Sequence, residues 1–165
     1  MRAKRLNHVS IHANDMEETL RFYTGVFGME RLPSPDFSQH VEWLRLGEQQ
    51  LHLFLREAPA PELHHIALDV DDFEAAYLKA KELGLLDEQA FGAAVRELPD
   101  GAVQMYIRDP AGNLVEIDWP DVTTLDRSVI GPIPRMADER PQTGEAARAT
   151  LYHIAGEPVS EGTAT

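Results

Sequence analysis

Apolar and polar residues alternate along LNHVSI (Leu6–Ile11), a pattern that predicts a strand. Val9 and Ile11 fall on one face, and His8, Ser10 and His12 on the other. Asn14 or Asp15 then caps a helix, with Glu17 and Glu18 well placed in its first turn. Met16, Leu20, Tyr23 and Phe27 recur at helical spacing until Gly28 ends the run. Past the loop LPSPDFS, HVEWLRL and QLHLFLR read as two strands joined by the turn GEQ.

Beyond the stiff connection APAPE (Ala58–Glu62) the pattern restarts. LHHIALDVDD predicts a strand, and FEAAYLKAKELG a helix whose face is Phe73, Ala76, Tyr77, Ala80 and Leu83, closed by Gly84. AVQMYIR and LVEIDW follow as strands across the turn DPAGN. After Pro120 the chain turns to Pro, Gly and charge, with one short helix expected near TGEAARATLYH, capped by Thr143. The expected organisation is 1–57 and 58–120 as two modules of one domain, and 121–165 as a tail packing on the domain or on a partner subunit.

The restart is an internal duplication. His8 matches His65, 57 positions on, and Asp15 matches Asp72. Aligning LHL on VEI sets His52 against Glu116. Each repeat thus offers one pair of polar positions, His8 with His52 and His65 with Glu116. His8, His65 and Glu116 share strand faces with small or polar residues, while Val9, Ile11, Ile66, Leu68, Val115 and Ile117 form the apolar faces expected beneath the helices. Imidazoles and a carboxylate suit a divalent transition metal. We therefore expect His8, His65 and Glu116 as ligands, with His52 left open as a fourth ligand or a nearby acid/base. His64, on the opposite face of its strand from His65, is expected to be structural.

Charge and composition narrow the partners. The 165 residues carry 28 acidic and 15 basic side chains, a formal charge of -13, which disfavours nucleic acid and anionic membranes. Cysteine is absent, which removes disulfides, thiolate metal sites and cysteine nucleophiles. No apolar leader or spanning segment is read, so a cytoplasmic protein is expected.

The stretches LNHVSI, TLRFYTGVFGME, QQLHLF, LHHIALDV and QMYIRDPAGNLVEI, in this order, resemble the vicinal oxygen chelate superfamily, the glyoxalase, bleomycin-resistance and extradiol-dioxygenase group. The resemblance implies an α+β fold of two βαβββ modules whose curved mixed sheets form a metal-binding cavity, and a homodimer. It puts His8, His65 and Glu116 on one divalent ion (Fe, Zn, Ni, Co or Mn) and sets His52 where the glyoxalase I and epimerase branches carry Glu or Gln. The activity implied is metal-assisted proton transfer on a small oxygen-chelating substrate, of lyase or isomerase type, with Glu116 or His52 as the base. Two alternatives stand beside it: a non-haem Fe(II) ring-cleaving dioxygenase, and a drug-sequestering protein. A thiol transferase inactivating an antibiotic is a more distant one. Ser10, His12 and Tyr106 are expected to line the substrate pocket, and Arg21, Arg45 and Arg96 are equal candidates for an anion anchor.

Overall fold

In the computed structural model, which describes residues 5–152, two βαβββ units follow one another. The first holds β1 (His8–Ala13), α1 (Met16–Phe27), β2 (Glu30–Leu32), β3 (Val41–Leu46) and β4 (Gln49–Leu55). The second holds β5 (His65–Asp69), α2 (Phe73–Glu82), β6 (Val95–Glu97), β7 (Val103–Arg108) and β8 (Leu114–Trp119). Each forms an open four-stranded mixed sheet, in the orders β1-β4-β3-β2 and β5-β8-β7-β6. Within each, only the first and last strands of the unit pair in parallel.

The registers repeat as the sequence does. Ser10 stands opposite His52, and Ala67, its counterpart 57 positions on, stands opposite Glu116. Asp15 and Asp72 cap the two helices alike, each side chain accepting from the backbone N–H three residues on. Gly28 ends α1 in the left-handed conformation at φ 63°, where a side chain is strained. The apolar faces of the central strands lie in one core with Tyr23, Phe73 and Tyr77 from the helices.

Several expectations are corrected. The first strand runs two residues later than Leu6–Ile11, at His8–Ala13. Leu83 is exposed: it is the C-cap of α2, past Ala80 where the helix's buried stripe ends, and the chain turns away at Gly84. Strands β2 and β6 escape pattern reading, since three residues with charged members hold no usable periodicity. The tail holds α3 (Arg127–Ile130) and α4 (Met136–Glu139), and near TGEAARATLYH only a 3-10 turn at Ala146–Arg148 with no side-chain cap. The far end of that stretch, His153, lies outside the described residues. Ile130 and Ile133 of the tail are buried in the core.

Polar groups fasten the units together. In the β7–β8 turn, Asp109 accepts from Tyr23 Oη at 2.9 Å, from Asn113 Nδ2 at 2.8 Å, and from the backbone of Ala111 and Asn113. The same Asn113 amide donates to His12 O of β1. Burial first, then the Asp109 charge, push the Tyr23 phenol well above its usual range, so it stays a donor. Arg108 ties three segments, with Nε on Asp87 at 2.7 Å and its other nitrogens on Gly112 O and Glu62 O. Burial tends to raise the Asp87 carboxyl, but backbone N–H groups and Arg108 outweigh it and hold the pKa below the ordinary range.

Two outcomes follow for urea or thermal denaturation. Tyr23→Phe removes a buried hydrogen bond to a carboxylate and costs about 1–3 kcal/mol. Arg108→Met destabilises at neutral pH by a comparable amount. Because the Asp87 pKa is depressed on folding, its contribution exists above the unfolded value of about 3.9 and fades as pH falls through the folded one. The Arg108→Met deficit should therefore shrink in acid, and a deficit constant with pH would exclude the pair as its source.

Candidate functional site

Each polar pair spans the parallel strands of its unit: His8 on β1 with His52 on β4, and His65 on β5 with Glu116 on β8. Along β5, His65, Ala67 and Asp69 are exposed while Leu68 is buried, as period-2 alternation demands. His65 Nδ1 donates to Leu63 O at 2.8 Å, which fixes the ring proton there and leaves the Nε2 lone pair outward in the neutral ring. That Nε2 lies 3.3 Å from Glu116 Oε2. Glu116 itself is only 4% exposed, and its other oxygen accepts from Gln104 Nε2 at 2.6 Å. Tyr106, opposite Glu116 on β7, donates its hydroxyl to Gln104 Oε1. Burial, then the Glu116 charge, raise the Tyr106 phenol, so it remains protonated near neutrality.

An unprotonated Nε2 and a carboxylate are both acceptors. Facing each other at this distance, they require a positive charge between them, supplied by imidazole protonation or by a bound ion. The donor set therefore suits a divalent metal, and the Leu63 carbonyl plays the orienting part that outer partners take at histidine ligands.

The first module presents its pair differently. His8 Nδ1 lies 2.9 Å from the Asn7 side-chain oxygen, again leaving Nε2 free. His8 stacks on His52 with centroids 4.2 Å apart and planes 14° apart, and His52 stacks on Trp43 at 4.5 Å and 9°. His52 Nε2 lies 2.9 Å from Gln50 Oε1. Burial, then the His8 charge, lower the His52 pKa. His8 and His65 line one cavity, together with Gln50 and Ala67. Among the described residues no three His, Asp or Glu side chains gather in an ion-holding cluster, so the structure shows two pairs, His65 with Glu116 and His8 with His52.

Ser10 and His12 line a second cavity with His64 and His65. His64 is exposed just before β5 and belongs to that cavity wall rather than to the core. Tyr106 packs at 4.5 Å between ring centroids on Phe91, which in turn stands edge-on to His65.

One row further along the second sheet, Asp69, Asp118, Gln104 and Arg96 stand side by side across β5, β8, β7 and β6. The tail holds both ends of this row: Tyr152 Oη donates to Asp69 at 2.7 Å, and Glu139 takes Arg96 at 3.2 Å. Asp118 is held above the usual carboxylate range by burial and by Glu116 and Asp69 beside it. Of the three arginines considered, Arg96 is the one drawn in, with 16% side-chain exposure against 72% for Arg21 and 57% for Arg45. Sequence reading missed Trp43, Gln50, Asp118 and the tail's Tyr152 as members of the site. Alternation from His52 and Glu116 could have found Gln50 and Asp118, and pairing across the GEQ hairpin could have found Trp43, whereas nothing in the tail's sequence pointed to Tyr152.

Comparison with known proteins agrees with this architecture. The family model described as Glyoxalase/Bleomycin resistance protein/Dioxygenase superfamily matches residues 5–117. Human mitochondrial methylmalonyl-CoA epimerase is 30% identical over 132 residues, covering 69% of this chain and 73% of that protein. The lactoylglutathione lyase structure from Agrobacterium tumefaciens superposes with a TM-score of 0.55 at 23% identity, over 71% of this chain and 94% of that one. The fosfomycin resistance protein FosX of Listeria monocytogenes reaches 0.59 at 16% identity, over 71% and 93%. These two structures share the fold. With its model matched across well over half of the sequence, the chain belongs to the Glyoxalase/Bleomycin resistance protein/Dioxygenase superfamily.

Proposed function

We propose that this protein is a divalent-metal-dependent enzyme that moves a proton at a carbon beside a carbonyl, an epimerase- or lyase-type reaction. Its substrate class, suggested by the epimerase relative, is a 2-substituted malonyl thioester. The observation that carries the reading is the oriented His65–Glu116 pair, an imidazole nitrogen facing a carboxylate oxygen at 3.3 Å, a place where a bound ion would supply the positive charge the two share. His8, with its free Nε2 on the shared cavity, completes the set of residues that would hold the ion. A divalent ion in that position supplies Lewis-acid polarisation of a carbonyl oxygen.

The chain's own groups supply the rest. Glu116 is shielded from water and held from one side by Gln104, so its carboxylate is aimed before substrate arrives. We assign it the removal of the proton from one face of that carbon; inversion is completed when a proton is delivered to the opposite face by solvent or a second acid. Tyr106 keeps Gln104 in the orientation that donates to Glu116, because its hydroxyl occupies the amide oxygen. Ser10 and His12 line the neighbouring cavity, which would receive the remainder of a thioester.

A second reading has its own observation. With His52 stacked between two rings, the donors reduce to two imidazoles and one carboxylate, the set used by non-haem Fe(II) enzymes that cleave aromatic rings with oxygen.

One assay separates the two. Protein loaded with Co²⁺ or Zn²⁺ in D₂O should wash deuterium into the 2-position of methylmalonyl-CoA, followed by proton NMR. Glu116→Gln should slow this exchange by about 10²–10⁴-fold. Exchange undiminished in that variant removes Glu116 from the proton transfer. Absence of exchange, together with oxygen uptake by the Fe(II)-loaded protein on catechols, transfers the assignment to ring cleavage. In parallel, His65→Ala should lower bound metal measured by elemental analysis, and unchanged metal content sinks the site.

A further inference from the structure

We infer that His52 is a positioning residue, a ring stacked between Trp43 and His8 that holds the His8 imidazole toward the cavity, and not a fourth metal ligand. The inference rests on the proposed ion site of His8, His65 and Glu116.

The argument is geometric. A ring nitrogen binds an ion along its lone pair, which lies in the ring plane, at about 2.0–2.1 Å. The His8 and His52 planes differ by 14° and their centroids are 4.2 Å apart, a face-to-face stack. Planes so nearly parallel, separated by a stacking distance, share no point within reach of both nitrogens. An ion in the plane of one ring lies over the face of the other. The two imidazoles therefore cannot both ligate in this arrangement, and their surroundings choose between them.

His52 is the middle ring. It is 7% exposed, Trp43 covers its other face at 4.5 Å with planes 9° apart, and its Nε2 is engaged with Gln50 Oε1. Its outer neighbour His8 is exposed, keeps Nε2 free, and shares a cavity with His65. Register explains how the stack arises: Trp43 on β3 and Ser10 on β1 stand directly opposite His52 on β4, and His8 lies two residues before Ser10 on the same face. Ser10, too small to cover the middle ring, leaves that face open to His8. A planar ring at position 52 is then what the position demands, whereas a flexible carboxylate or amide would give His8 nothing to stack on.

The test uses Co²⁺ alone as probe, with isothermal calorimetry for affinity and the visible absorption bands of bound Co²⁺ for the ligand set. Thermal melts confirm that each variant is folded. Wild type should bind Co²⁺, and His8→Ala should abolish binding. His52→Phe, which keeps a ring but has no donor atom, should retain both the spectrum and an affinity close to that of wild type. His52→Gln, which keeps a donor but not the stack, should lose about 10–100-fold, the range seen when residues orienting a ligand are removed. Trp43→Leu, which leaves both imidazoles in place but removes the ring beneath His52, should lose a similar factor. Loss of binding or a changed spectrum in His52→Phe, or full binding in His52→Gln, overturns the positioning role. Failure of wild type to bind Co²⁺ instead overturns the ion site on which the inference rests.

Discussion

A buried carboxylate at the β7–β8 turn, Asp109, is the constraint on which the placement of the two modules depends. It sits 4% exposed and accepts from a phenol on α1, from two backbone N–H groups of its own turn, and from the Asn113 amide. Burying a carboxylate is costly unless every lone pair finds a donor, so the turn cannot relax without exposing or orphaning it. Through Asn113 the same hub grips the backbone of β1 at His12. The end of the strand carrying His8 is thereby joined to the start of the strand carrying Glu116.

Duplication then sets up equivalence that the side chains break. Both modules place a fourth-strand residue opposite an aromatic on the strand before it, Trp43 against His52 and Tyr106 against Glu116. In the second module the aromatic is a phenol that works through Gln104 on a carboxylate. In the first it is an indole that lies flat on an imidazole. One frame thus supports a hydrogen-bonded acid on one side and a stack of rings on the other.

Much of this was readable from the chain. The alternation around His8 and His65, the caps at Asp15 and Asp72, and the equivalence of His52 with Glu116 all follow from periods and repeats, and the structure reproduces them in its registers. Short edge strands were not readable, because β2 and β6 are held by pairing with β3 and β7 rather than by their own pattern. Nor was the state of His52. Its type suggested chemistry, and only the ring above and the ring below it reveal packing. Arg96 illustrates the same limit, since three arginines look alike until the fold buries one of them.

The tail's grip on the second sheet bears on where this protein begins and ends as a working unit. The match to the family model ends at residue 117, one position short of Asp118, while Glu139 and Tyr152 reach back to Arg96 and Asp69 on the same row. Ile130 and Ile133 lie in the common core. A fragment trimmed to the region the family model matches would thus lose part of its interior and the partners of Arg96 and Asp69. For this member, the boundary drawn by ancestry and the boundary drawn by physics are not the same line.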